Sequence, residues 1–214
     1  MSGRLDQYRL FWREFRQTFE TTGAVAPSGR ALCRELARHV TGNGQPRRVL
    51  EVGPGTGVVT DQIIARLGPE DTLDLVELND RFVELLRQRL AEEPSWQAVA
   101  ERVQIHHKPV QDLSAETPYD AIVSGLPLNN FPADLVAEIL AKLHELAADG
   151  ATLSFFEYVA VRKAKALVSR GDQRRRLLGI ETHISNARKQ WGCGRRCILA
   201  NLPPAWVHHL RFGG

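Results

Sequence analysis

The stretch Val49–Thr60, VLEVGPGTGVVT, constrains this chain more than any other. A short β-branched and apolar run, Arg47 to Val52, gives way to Gly53, Gly55 and Gly57 in G-x-G-x-G spacing, and a helical pattern opens near Val58. The pattern describes a buried strand that turns through glycines into a helix, a turn that lets a ligand approach bare backbone. It is not G-x-G-x-x-G, whose third glycine opens a helix against a pyrophosphate. Glu51, two positions before the first glycine, would repel a pyrophosphate and suits a ligand with a positive centre.

Further apolar runs follow with a regular βαβ rhythm. Thr72–Glu77 ends in a carboxylate twenty residues after Gly57, placed to accept ribose hydroxyls. Val103–His107 leads to Val110-Gln111-Asp112, and Tyr119–Ser124 leads into Gly125-Leu126-Pro127. Helices are expected from Gly29 to about His39 with Ser28 as cap, from Val58 to Leu67, from Asp80 to Leu90 after a capping Asn79, and from Pro132 to Ala148 with Gly150 at its end. Ala151–Tyr158 reads as a fifth strand, and Arg195–Leu202 with Ala205–Phe212 as two more around Pro203-Pro204.

In this order the motifs resemble those of class I S-adenosylmethionine-dependent methyltransferases, over roughly Pro27 to Phe212. The resemblance implies an α/β, Rossmann-like fold whose mostly parallel, seven-stranded sheet closes in a C-terminal antiparallel hairpin. It also implies S-adenosyl-L-methionine as cofactor and S-adenosyl-L-homocysteine as product. On this reading Glu51, Gly53 and Gly55 hold the methionine part, Glu77 the ribose and Asp112 the adenine, with Pro54, Thr56, Leu78, Gln111 and Ser124 as further cofactor-binding candidates.

At 214 residues and 24.0 kDa, a single catalytic domain over residues 23–214 is the economical organisation. With 43% hydrophobic and 25% charged residues the composition is that of a soluble globular protein. No apolar run approaches the ~18 residues of a spanning helix, and no signal-peptide pattern opens the sequence, so a cytoplasmic location is expected. Cys33, Cys193 and Cys197, odd in number, fit free thiols in a reducing compartment. His106-His107 and His208-His209 sit on strands, where neighbours point to opposite faces, so neither pair is expected to bind a metal.

The formal net charge is only +3, but residues 160–196 carry eleven Lys and Arg against two acids. That excess attracts a polyanion, either anionic lipid headgroups or nucleic acid. Residues 1–22 place Leu5, Tyr8, Phe11, Trp12, Phe15 and Phe19 on one helical stripe opposite Arg4, Arg9, Arg13 and Arg16. Such a helix suits a membrane interface and would equally serve docking on the domain's own core.

The loop Ser124–Pro132 stands where the methyl acceptor is met. Enzymes that methylate adenine or amides carry Asn or Asp, then Pro, then an aromatic; here Gly125 replaces the polar residue and Leu128 the aromatic. This favours an aliphatic amine. The N-terminal helix, GAVAPS to Ser28, LEVGPGTG to Gly57, SGLP to Pro127, the basic segment and NLPPAWVH to His208 together resemble bacterial phospholipid N-methyltransferases. That resemblance implies successive methylation of phosphatidylethanolamine towards phosphatidylcholine, with the first helix on the membrane. The protein would then be bound peripherally to the inner face of the cytoplasmic membrane. Its partners would be phospholipid headgroups and an anionic surface, without metal or nucleic acid, the oligomeric state staying open. Glu157, Tyr158 and Tyr8 are the candidates for handling the amine, Trp12 and Phe15 for the membrane, and Arg174, Arg175 and Arg176 for lipid phosphate. The alternatives are an RNA adenine N6-dimethyltransferase and a non-catalytic membrane- or nucleotide-binding module.

Overall fold

The computed structural model describes residues 29–41, 44–114, 116–128, 131–158, 172–201 and 203–213, and between 172 and 178 the backbone alone. The expected N-terminal helix, with Tyr8, Trp12 and Phe15, and the Ser28 cap lie outside the described residues.

Seven strands form one sheet in the order β3-β2-β1-β4-β5-β7-β6. β1 (Arg48–Val52), β2 (Thr72–Glu77), β3 (Val103–His107), β4 (Tyr119–Ser124) and β5 (Ala147–Tyr158) run parallel; β7 (Ala205–Arg211) is antiparallel to β5 and to β6 (Gly192–Ile198). The central strands are apolar almost throughout because helices cover both faces. Leu50, Val52, Ile122, Leu153 and Phe155 pack towards α5 (Ala133–Glu145) and α6 (Asp172–Trp191). Val49, Leu75, Val123, Phe156 and Val207 pack towards α1 (Arg30–Leu36), α2 (Val58–Ile64), α3 (Asp80–Glu92) and the short α4 (Pro94–Gln97). The expected fold is therefore the observed one.

Several boundaries differ for physical reasons. α2 ends at Ile64 and gives way to turns through Leu67. α5 ends at Glu145, and Gly150 (φ +76°) is no helix cap: it lies in an irregularity of β5 between the pairings Tyr119↔Ala147 and Ala121↔Thr152. Asn79 does cap α3, its Oδ1 accepting from the Arg81 N–H at 3.0 Å. β6 begins at Gly192, earlier than expected, because the Gly-Cys-Gly run pairs with β7 despite lacking bulky side chains.

Within the basic segment at 160–196, residues 172–191 form a helix, and its Ile180, Ile184 and Ala187 sit in the core. Gly179 lets α6 approach α5 closely, since a Cβ there would lie 2.9 Å from Ala133 Cβ.

Asn201, 4% exposed, joins the two ends of the described chain. Its Oδ1 accepts from the Gly29 N–H at 2.8 Å and its amide donates to the Pro203 carbonyl at 2.7 Å, which fastens the start of α1 to the β6–β7 turn. No helix among the described residues is long and apolar enough to cross a membrane.

Candidate active site

The glycine turn leaves β1 at its C-terminal end, where an open α/β sheet binds ligands. Gly53, Gly55 and Gly57 have φ of +71°, +57° and +84°, a backbone region that side chains disfavour. The turn also lies tight against the loop after β4. A Cβ on Gly125 would lie 2.5 Å from the Gly53 carbonyl oxygen, and one on Gly53 would lie 2.5 Å from Leu126 Cδ2.

Glu51 is fully buried beside this turn. Its Oε2 accepts from the Thr60 hydroxyl at 2.7 Å, while Oε1 has no hydrogen-bond partner among the described residues. Burial pushes its pKa up to about 8, against the downward pull of the Thr60 hydrogen bond. An orphaned carboxylate oxygen in a dry site is costly and is satisfied by a cationic group.

Glu77, 4% exposed, ends β2 and holds backbone at three points. Oε2 accepts from Gly55 N–H at 3.1 Å, and Oε1 from Leu78 and Asn79 N–H at 2.8 and 2.9 Å. Burial raises its pKa and these N–H groups pull it back. A carboxylate offers about four acceptor positions, so about one is left for a ribose hydroxyl. Glu77 and Leu78 line a crevice with Gly53, Gln111, Leu126 and Ile139. Asp112 is exposed on the short 3-10 turn Val110–Asp112, and Ser124 is buried at the end of β4.

The two candidates on β5 separate. Tyr158 faces the side of Phe156, which it meets edge-on at 5.1 Å, whereas Glu157 faces the side of Phe155 and His208. Burial, and then the neighbouring Cys33 thiol, raise the Tyr158 pKa, so its phenol keeps its proton and cannot serve as the base at neutral pH. Glu157 is 5% exposed, with its Oε2 2.7 Å from His208 Nε2. His208 stacks on Phe155, the residue in register with Ser124. Sequence reading missed His208 because its partner lies 51 residues away and only strand pairing brings the two together. Arg174, Arg175 and Arg176 fall at the start of α6, where only the backbone is described.

The histidine pairs divide as strand alternation requires. His106 contacts Asp74 at 2.9 Å and His107 contacts Asp80 at 3.0 Å; His209 contacts Ser154 at 2.9 Å and Glu35 at 3.3 Å, on the sheet face opposite His208.

Residues 49–150, which carry the turn, Glu77 and the β4 loop, match the methyltransferase domain family. The sheet has the α/β, Rossmann-like methyltransferase fold. The chain is 28% identical over 150 residues to the ornithine lipid N-methyltransferase of Singulisphaera acidiphila, covering 70% of this chain and 77% of that protein. It is 35% identical over 83 residues to a tRNA1(Val) (adenine(37)-N6)-methyltransferase of Aeromonas salmonicida, covering 39% of this chain and 33% of that one. The fold matches the N-methyltransferase NodS of Bradyrhizobium japonicum, solved with S-adenosyl-L-homocysteine, at a TM-score of 0.62 and 15% identity over 86% of this chain and 87% of that one. The orphaned Glu51 oxygen beside the glycine turn fits the cationic end of S-adenosylmethionine, the cofactor expected from the sequence. When bound, this cofactor supplies a methyl group already activated on a sulfonium.

Proposed function

We propose that this methyltransferase methylates the primary amine of a membrane aminolipid, phosphatidylethanolamine, successively towards phosphatidylcholine. The observation that carries the reading is the β4 loop. Gly125 is pressed on the Gly53 carbonyl, so no larger residue fits where enzymes of planar acceptors keep a polar group. Leu126 and Leu128 are buried in the core and present no ring on which a base could stack. An aliphatic amine needs neither feature. Similarity to an ornithine lipid N-methyltransferase supports an amine carried on a lipid.

The acceptor must arrive as a neutral amine, and an ammonium like that of lysine titrates near ~10.4. In this proposal Glu157, at the C-terminal end of β5 and paired with His208, takes that proton. Tyr158 lines the approach on the opposite sheet face, and its ring can hold the methylated ammonium. The residues before Gly29 meet the membrane, and the arginines at 174–176 meet lipid phosphate.

Transfer of labelled methyl from S-adenosylmethionine to vesicles tests the reading. Vesicles of phosphatidylethanolamine with an anionic lipid are expected to yield mono-, di- and trimethylated lipid. Labelling of ornithine lipid alone would move the acceptor to the free side-chain amine of an ornithine headgroup. The similarity to a tRNA adenine methyltransferase keeps a second reading in view, and labelling of RNA but no lipid would favour it.

A further inference from the structure

The glycine turn is held from behind by a group with no part in the crevice. Arg89, on the third turn of α3, donates from Nη1 to the Thr56 carbonyl at 2.9 Å. Its Nη2 donates to Asp61 Oδ1 at 2.7 Å and to Glu93 Oε2 at 2.8 Å, and its Nε donates to Glu93 Oε1 at 2.6 Å. The guanidinium lies 4.4 Å above the Trp96 ring, and the Trp96 indole N–H donates to the same Asp61 oxygen at 2.8 Å. Trp96 is fully buried and the Arg89 side chain is 15% exposed.

Gly57 closes the arrangement. A Cβ there would lie 2.5 Å from Arg89 Nη1 and 2.9 Å from two Trp96 ring carbons, so the third glycine of the turn is pressed flat against the cation and the ring. From the other side Glu77 holds the Gly55 N–H. The turn is thus gripped at two peptide groups with one between them, Pro54–Gly55 by a carboxylate at the ligand's side and Thr56–Gly57 by a guanidinium behind.

We propose that Arg89 is a positioning residue for cofactor binding: its planar fork, stacked on Trp96, fixes the Thr56–Gly57 peptide in the orientation that receives S-adenosylmethionine. The fork matters more than the charge. Arg89 meets one carbonyl and two carboxylates in one plane, and a lysine ammonium cannot span the three. Holding this backbone before the ligand arrives removes an ordering cost from binding. The proposal is independent of which amine is methylated.

Arg89→Met and Arg89→Lys test it with S-adenosylhomocysteine as the calorimetric probe. The dissociation constant is expected to rise by about tenfold or more in both, since preorganisation is lost in both. At saturating cofactor, kcat and the KM for the amine are expected to stay within about threefold of wild type, as for a loss of ground-state binding alone. In the ligand-free protein, amide exchange at Gly55–Gly57 is expected to quicken in Arg89→Met. An affinity within about twofold of wild type in folded Arg89→Met, or full rescue by lysine, overturns the proposal. Should Arg89→Met fail to fold, Asp61→Asn decides. It loosens the fork at nearly constant shape, and unchanged affinity together with unchanged exchange at Gly55–Gly57 likewise overturns the proposal.

Discussion

Gly125 and Gly53 meet backbone to backbone, with room for a hydrogen on Gly125 and for nothing larger, because a Cβ would lie 2.5 Å from the Gly53 carbonyl oxygen. The Gly125 N–H also donates to the Val52 carbonyl at 2.9 Å, so the loop after β4 is tied to the end of β1 where the glycine turn begins. Gly125→Ala must push these loops apart. Such overpacking costs about 1–3 kcal/mol, so a lower denaturation midpoint is expected together with weaker binding of S-adenosylhomocysteine. An alanine variant with wild-type stability and affinity would refute the interlock.

Glu51 predicts a proton balance. With its pKa pushed up to about 8, the side chain is largely protonated at pH 7 in the ligand-free protein. A cationic ligand requires it ionised, so binding is expected to release about one proton at pH 7, read from calorimetry in buffers of different ionisation enthalpy. Glu51→Gln is expected to release none and to bind weakly.

The same residue opposes folding as the solution becomes basic. A carboxyl whose pKa is raised on folding helps stability fully below its unfolded pKa of 4.5, and that contribution is lost as pH rises through about 8. The ligand-free Glu51→Gln protein is therefore expected to outlast wild type in thermal denaturation at pH 9, and the advantage should vanish near pH 4.

The packing of α6 predicts that the basic segment cannot be removed. Ile184 is fully buried, and Ile184→Ala should cost about 2–5 kcal/mol in chemical denaturation. A cost near zero would mean that α6 is an appendage after all.

Asn201→Ala leaves the Gly29 N–H and the Pro203 carbonyl without their partner. The expected loss is about 1–3 kcal/mol, with faster amide exchange in α1 as its local sign.

The central sheet was legible because its strands are buried on both faces and announce themselves as apolar runs. The Asn79 cap was legible for the same kind of local reason: one side chain closes a helix two residues on. α6 was hidden by its charge. Ile180, Ile184, Ala187 and Trp191 recur at helical spacing, but the arginines around them drew attention to a polyanion partner. β6 was displaced because glycines at 192 and 194 read as a break while their backbone pairs with β7. In the site, Glu51 and Glu77 stood out by position relative to the glycines. Arg89 did not, since its target carbonyl is 33 residues away and a carbonyl leaves no trace in side-chain identity. The Glu157–His208 contact was equally invisible, being a product of register between strands far apart in sequence.

The place of β7 also dictates an order of events during synthesis. β6 precedes β7 in the chain, yet β7 lies between β6 and β5. As the polypeptide emerges from the ribosome, β1 to β5 can assemble around the glycine turn, but β6 has no edge to join until residues 205–211 have followed it. The nascent protein therefore passes through a stage with the exposed edge of β5 as a template for stray pairing. Arrival of β7 closes that edge and delivers His208 to Glu157 in the same step.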